Sequence, residues 1–531
     1  MVAAVSDDYV VDAKRDRRVI VASSLGTVFE WYDFFVYGTL ATVIAKMFFP
    51  AASETAGFLL ALATFGAGFG VRPLGALLFG YLGDRLGRKY TFLVTITLMG
   101  VATAAVGLIP TYAQIGIAAP ILLVVCRLLQ GLALGGEYGG AAIYVAEHAP
   151  RDRRGLYTSF IQASVIGGFL LSVLVVLISA YFVDPVAWEA WGWRVPFLFS
   201  LLLLAISLWM RLKLKESPVF QAMKQAGNTS RNPVKESFDS WHKVKLILVG
   251  LFGIAAGLTV IWYTAQFQGL YFLQNTLRIE DTAARMMVGA AAVFSIGWFI
   301  LFGWLSDKVG RKKPIVLGYV LTIALMFPLF HWMSAAANPD LARSMARNPV
   351  VVTGSDCSYD PFASKGQETA CGRLLDTLTR KGVAYATAEG APGAAPVITI
   401  GGAPVDAAPE MLDPALEAAG YKLAKSVPSL FQSAQVVLAI TMIGMFSGMT
   451  FGPAAALLVE LFPARIRYTS LSISYHIGTG YFGGFLPFIS LYIVARTGDP
   501  FAGLWYTIGV VAMALVVTAF WLPETSGRTL D

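Results

Sequence analysis

Gly80-Tyr-Leu-Gly-Asp-Arg-Leu-Gly-Arg-Lys89 returns later in the chain as Gly303-Trp-Leu-Ser-Asp-Lys-Val-Gly-Arg-Lys312, with glycine, acid, base and basic pair in the same register. Each copy is a short charged turn between two long apolar segments, the pattern of a tight surface connection. Asp84 and Asp307 lie 223 residues apart, so the chain reads as a duplication. Of its 531 residues 56% are apolar and 14% charged, against about 25% charged in an ordinary soluble domain. Mean hydropathy is +0.64. Apolar runs of about 20 residues, enough to cross roughly 30 Å of hydrocarbon, recur along nearly the whole length. The expected class is therefore an all-α membrane protein with the lipid bilayer as its solvent.

Runs bounded by charge, Pro or Gly place spans near 20–46, 57–82, 91–109, 115–140, 156–182 and 193–211. After a polar loop come spans near 246–274, 284–306, 314–336, 434–460, 468–494 and 501–522. These are twelve transmembrane helices as two six-helix pseudo-repeats. The N-terminus lacks the apolar core and cleavage site of a signal peptide, so the first span is expected to act as the insertion signal and remain. With the N-terminus inside, the inner segments carry 25 of the 40 Lys and Arg, so the positive-inside rule puts both termini in the cytoplasm. The net charge of +7 thus reports topology. No basic stripe with interleaved aromatics points to a nucleic-acid partner.

The duplication extends past the signature. Arg127, Gly131 and Gly135 lead to Glu147-His-Ala-Pro150 and Arg154, while Gly444, Gly448 and Gly452 lead to Glu460-Leu-Phe-Pro463 and Arg467. Glu147 and Glu460 are 313 residues apart, 90 more than the signatures, so an insertion lies between the second signature and its Glu-x-x-Pro. The division expected is a bundle at 1–211, a cytoplasmic loop at 212–245, a second bundle at 246–336 and 433–531, and an extracytoplasmic insertion at 337–432. That insertion reads as a small α+β module or an irregular loop. Its Cys357 and Cys371, 14 residues apart on the oxidising side, are a disulfide candidate, with two free thiols as the alternative.

Further residues resemble a known family. Glu30-Trp-Tyr-Asp33-Phe-Phe-Val-Tyr37-Gly38, Arg72-Pro-Leu-Gly running into the signature, Arg-x-x-x-Gly-x-x-x-Gly-Gly-Glu in the fourth span, Lys215-Glu-Ser-Pro-Val-Phe220 and Pro523-Glu-Thr525 are similar to the metabolite:proton symporters of the major facilitator superfamily. The likeness covers all twelve spans and not the insertion. It implies the major facilitator fold and secondary active transport by alternating access, with proton-coupled symport of a small organic acid or zwitterion. Di- and tricarboxylates and aromatic acids are the substrate classes implied, and a proline or betaine osmoprotectant is an alternative. The chain ends about ten residues past its last span, without the cytoplasmic coiled coil of osmosensing members, which lowers that alternative. Partners expected are the small-molecule substrate, protons and the lipid of a cell (inner) membrane, with the chain a monomer.

Charges inside spans are expensive and tend to be functional or paired. Glu30, Asp33 and Tyr37 share a helix face by their spacing. Asp33, then Glu30, is expected to carry the proton. Arg127, then Arg72, is expected to anchor a substrate carboxylate, because a guanidinium binds it bidentately. For each, a permanent buried ion pair that locks helices is the alternative. Tyr37, Gln162, Trp262, Tyr263, Gln266, Tyr475 and His476 are expected to complete the binding pocket, with Tyr481 a further candidate. Packing is the competing role for each aromatic. Asp84, Arg85, Arg88, Glu137, Glu147, Asp307, Arg311 and Glu460 are expected to gate the cytoplasmic side.

No P-loop occurs, and four scattered histidines form neither a metal site nor an enzyme's nucleophile-base pair, so neither an ATP-driven pump nor an enzyme is expected, and no cofactor. Drug/proton antiport is the nearest transport rival. The fifth span lacks the Gly-Pro pattern associated with it.

Overall fold

A computed structural model describes residues 13–50, 54–86, 88–136, 138–212, 233–363, 366–406, 408–463, 466–528 and 530, with side chains omitted at 13–24, 80–92, 138, 144, 148, 211, 233, 409 and 410. Among the described residues ten helices are long and apolar enough to cross a membrane. The other two of the twelve spans are the first, Ala13–Thr39 continued by Ala41–Phe48, and the third, Arg88–Leu108. The fifth span, Arg154–Phe182, has 29 residues, about 43 Å at the helical rise.

Small residues decide which spans touch. In the fourth span, Ala118–Gly135, Gly131 and Gly135 fall on one face four residues apart. A methyl added at Gly131 would stand 1.7 Å from the Gly68 carbonyl oxygen, and one at Gly135 2.1 Å from that of Arg72. Here the second span, Glu54–Gly70 followed by Arg72–Leu86, lies backbone against backbone with the fourth. The second half repeats the device. Gly444, Gly448 and Gly452 on the tenth span, Leu430–Leu461, press on Ser295, Trp298 and Gly303 of the eighth span, Asp281–Val309.

The halves meet where the fifth span packs on the eighth and the second on the eleventh, Arg467–Thr497. Gly155 and Gly303 permit the first of these crossings, since a methyl on Gly155 would come 2.5 Å from the Gly303 carbonyl oxygen. Helix geometry differs between the halves. Among the described residues every π-helical segment belongs to the second, three in the seventh span (Val249–Ala255, Thr264–Gln268, Phe272–Thr276) and one in the eleventh (Gly478–Gly484). Such segments are rare and concentrate at functional sites.

Between the ninth span, Lys312–Ala337, and the tenth lies an α+β module, which decides between the two readings of the insertion. Its sheet runs β2-β1-β3-β4, with β1 Val350–Gly354, β2 Tyr385–Glu389, β3 Val397–Ile400 and β4 Ala403–Val405. Strands β1 and β2 are parallel, joined through the helix Ala370–Arg380, whereas β3 and β4 form a hairpin whose turn uses Gly401 and Gly402 at φ +59° and +85°. Leu374, Leu378, Val352 and Ile398 are buried in its own core, and Cys357 and Cys371 are disulfide-bonded. Arg496 Nη1 donates to the Tyr359 carbonyl at 2.8 Å, and the Tyr385 amide donates to the Gly498 carbonyl at 3.2 Å, which fastens the module to the eleventh span.

Candidate functional site

The signature face is closed by a charged network across the halves. Glu460 accepts from Arg154 at 2.9 Å and from Arg311 at 3.2 Å, with the Glu460 and Arg311 side chains fully buried. Arg311 also pairs with Asp307 at 2.5 Å. Asp307 in turn accepts the backbone amides of Gly155 and Leu156, each at 2.8 Å. Those amides open the fifth span, so the carboxylate of one half sits on the positive end of a helix of the other. Glu147 and Arg467 approach to 3.3 Å. Thus Glu147, Asp307, Arg311 and Glu460 come together. The side chains of Asp84, Arg85 and Arg88, and all of Glu137, lie outside the described residues.

Midway along the spans two arginines are fully buried. The Arg72 guanidinium lies 3.8 Å from the Phe69 ring centre, 4.7 Å from that of Phe34 and 4.9 Å from that of Trp31. None of its three nitrogens has a hydrogen-bond partner among the described residues. Arg127 shares the Phe34 ring at 4.1 Å and covers Tyr37 at 4.5 Å. Its Nη1 donates to Gln130 Oε1 at 2.7 Å, and Gln130 Nε2 donates to Thr103 Oγ1 at 2.6 Å. Aromatic faces compensate part of the cost of burying a cation, but they satisfy no N–H donor.

Arg72 lines a cavity of about 20 Å³ together with Gln162, Thr259, Trp262, Tyr263 and Tyr475, room for a single water. Four of the expected pocket residues, Gln162, Trp262, Tyr263 and Tyr475, are therefore brought together around it. Tyr37, Arg127, Gln266 and His476 are buried elsewhere, and Tyr37 donates instead to the Ala61 carbonyl at 3.0 Å. Gln266 belongs to the π segment Thr264–Gln268. Tyr481 is half exposed and donates to the Gly70 carbonyl at 3.1 Å, so it does not complete the pocket. Glu30 and Asp33 are buried on the first span, where the Asp33 carbonyl accepts from Thr103 Oγ1 at 3.4 Å. The cavity face of that span belongs to Trp31 and Phe35.

Sequence reasoning missed Trp31, Phe35 and Phe69, because aromatics are common in apolar spans and nothing in their spacing sets these apart. Gln130 carried a usable signal, lying three residues after Arg127 and hence on the same helix face. The insertion face is shut above the cavity: Tyr271 donates to the Gly38 carbonyl at 2.8 Å, and a methyl on Gly38 would stand 2.5 Å from Phe267. With both faces closed, the cavity is occluded.

The model of the sugar (and other) transporter family matches residues 19–249 and 418–531, leaving out much of the insertion. The inner membrane metabolite transport protein YhjE of Escherichia coli is 30% identical over 518 residues, which are 94% of this chain and 93% of that one. The shikimate transporter of the same organism is 39% identical over 335 residues, 62% of this chain and 75% of that one. Among solved structures the proton:xylose symporter XylE superposes with a TM-score of 0.64 at 18% identity, covering 98% of each chain, and shows the shared fold. A charged latch across two six-helix halves, a closed cavity between them and these matches have one reading: the chain belongs to the sugar (and other) transporter family, as a multi-pass membrane transporter.

Proposed function

We propose that the protein takes up a small organic acid, a di- or tricarboxylate or a cyclic acid, together with protons by alternating access. The observation that carries this reading is Arg72, a fully buried guanidinium on the cavity wall with no hydrogen-bond partner among the described residues. A charge left so costs several kcal/mol unless an anion reaches it. Arg72 is accordingly the first anchor for a substrate carboxylate. Arg127, already donating to Gln130, is the second, the reverse of the order expected from sequence. Gln162, Tyr263 and Tyr475 supply polar contacts to the rest of the substrate, while Trp262 forms an apolar wall.

Asp33, supported by Glu30, carries the proton. Arriving substrate negative charge favours protonation of a buried carboxylate nearby, and departure of the substrate favours its release, which couples the two fluxes. The latch at Glu460 and Arg311 faces the cytoplasm, as do both termini, and breaks when the halves rock. The chain works as a monomer, since each monomer holds a complete site.

Proteoliposomes with an imposed pH gradient test this, with labelled citrate, succinate, shikimate and glycine betaine as the panel. Uptake of an acid is expected to follow the gradient. Arg72→Gln should lower it by roughly 10- to 150-fold, the equivalent of a charged hydrogen bond of about 1.5–3 kcal/mol. Asp33→Asn should abolish accumulation yet keep exchange of substrate for substrate. Gradient-independent uptake by the unmodified protein would sink the symport mechanism, and betaine uptake without acid uptake would move the reading to an osmoprotectant.

A further inference from the structure

A second cavity, of about 1050 Å³, opens on the insertion face between the two halves and the α+β module. Its wall is rich in charge, but most of the acids are engaged. Glu280 accepts the amides of Thr282 and Ala283, each at 2.9 Å. Asp281 is held by Lys425 at 2.7 Å, and Glu189 faces Lys46 at 3.9 Å. Glu54 is exposed on the rim belonging to the first half.

The buried donors are left over. Arg285 is 5% exposed, lines the cavity and has no hydrogen bond or ion pair among the described residues. It also lies one turn into the helix Asp281–Val309, where the helix dipole opposes a cation. Gln274, 2% exposed, lines the same wall with an Nε2 that has no partner among the described residues. The half-buried Arg278 lines it too; its Nε has no partner among the described residues, and its Nη2 donates to the Lys381 carbonyl of the module.

Arg278 is held in place at some cost. Its φ is +56°, a left-handed backbone in which only Asp356 joins it among described non-glycine residues. The module imposes that conformation from both of its connections. Asn338 Nδ2 donates to the Leu277 carbonyl at 3.0 Å, the Ser426 amide donates to the Arg278 carbonyl at 2.9 Å, and the Glu280 amide donates to the Ser426 carbonyl at 2.9 Å.

We infer that Gln274, Arg278 and Arg285 form an outer binding site for small carboxylates, assembled by the inserted module, which collects the anion before it reaches the central cavity. Two guanidiniums and an amide N–H, each with a nitrogen that has no partner among the described residues, outnumber the Gln274 carbonyl and select an anion. Two guanidiniums beside an amide suit the flat, forked geometry of a carboxylate. The module thereby acquires a role in substrate capture. This inference rests on organic-acid uptake for its physiological meaning, but the site stands on its own geometry.

Equilibrium binding of labelled citrate to the full-length protein in lipid nanodiscs at neutral pH tests it. The unmodified protein and Arg72→Gln, whose central anchor is gone, should both bind citrate. Made in the Arg72→Gln background, Arg285→Gln should weaken binding at least about tenfold, Arg278→Gln less so, and Arg285→Lys should recover part of it because the point charge remains. Thermal unfolding of each variant in the same nanodiscs separates loss of the site from loss of the fold. No citrate binding by the unmodified protein, equal binding by folded Arg72→Gln/Arg285→Gln, or loss in Arg72→Gln would each overturn the inference. Citrate binding retained in a protein that transports no acid would leave this site standing and refute the transport reading alone.

Discussion

The two six-helix halves share a backbone plan and differ in what they spend it on. Gly131 and Gly135 in the first half and Gly444, Gly448 and Gly452 in the second let a pair of spans touch backbone to backbone. The charges of the signature face are repeated, but those buried midway along the spans are not. The residue that corresponds to Arg72 at the 223-residue spacing is Ser295, and the one that corresponds to Arg127 at the 313-residue spacing is Ile440. Packing must be solved in each half separately, whereas one arginine, Arg72 of the first half, lines the cavity that both halves enclose. The second half contributes deformability instead, through π segments in the seventh and eleventh spans, which bear Tyr263 and Tyr475 close to the cavity. A helix interrupted in this way is poised to rearrange without losing all of its hydrogen bonds.

Substituting the shared glycines would break the comparison most sharply. In Gly131→Ala the new methyl meets a backbone carbonyl oxygen at 1.7 Å, which cannot step aside. A loss of at least about 3 kcal/mol, or no folded protein at all, is expected from overpacking of this severity. In Gly444→Ala the obstacle at 2.1 Å is the Ser295 hydroxyl, which can be removed. About 1–2 kcal/mol is expected there, largely recovered in Gly444→Ala/Ser295→Ala. Thermal unfolding in detergent measures all three, and equal losses for Gly131→Ala and Gly444→Ala would show that the halves tolerate crowding alike.

A difference in conformational balance rather than in folding is expected at the latch. Glu460→Gln removes the negative charge, and one of the two acceptor oxygens, that face two buried arginines, Arg154 and Arg311. Breaking such a network costs the closed state about 3–5 kcal/mol, enough to shift a two-state balance by a hundredfold or more. Glu147→Gln loses one partly exposed pair and should shift it far less. Spin labels at Asp152 and Lys308, both exposed on this face, should separate in Glu460→Gln and stay near their original distance in Glu147→Gln.

The least effect belongs to Glu524, in the second half's terminal segment. Burial pushes its carboxyl up, but the backbone amides of Ser526, Arg311, Lys312 and Thr525 outweigh this and hold it below its ordinary 4.5. A carboxyl with a lowered folded-state pKa stabilises fully above 4.5 and loses that contribution as pH falls through the folded value. Glu524→Gln should therefore flatten the acid limb of the stability curve slightly below that pH and leave neutral pH transport almost unchanged. An unchanged acid limb would show that these amides contribute nothing across that range.

Much of the latch was legible because its residues stand in a repeated motif: Asp307, Arg311, Glu147 and Glu460 were all selected by register alone. The cavity was legible in part. Arg72 stood out because a charge in an apolar span is costly, and so did Tyr263 and Tyr475 as polar aromatics. His476 stood out for the same reason and is buried off the cavity wall. Trp31 and Phe69 carried no such mark, since an aromatic that cradles a guanidinium and one that packs against lipid have the same hydropathy and the same helical spacing.

By itself the chain's sequence determined the twelve spans, their duplication, the insertion and its length, and the short list of buried charges. These follow from local facts, namely how many apolar residues cross a bilayer and what a charge costs inside one. Only the tertiary structure decided that Arg72 meets aromatic faces and no hydrogen-bond acceptor, that Asp307 caps a helix of the opposite half, and that the inserted module clamps Arg278 at the mouth of the outer cavity. Each of those depends on which surfaces of distant segments touch, and packing between segments leaves no periodic trace in the segments themselves.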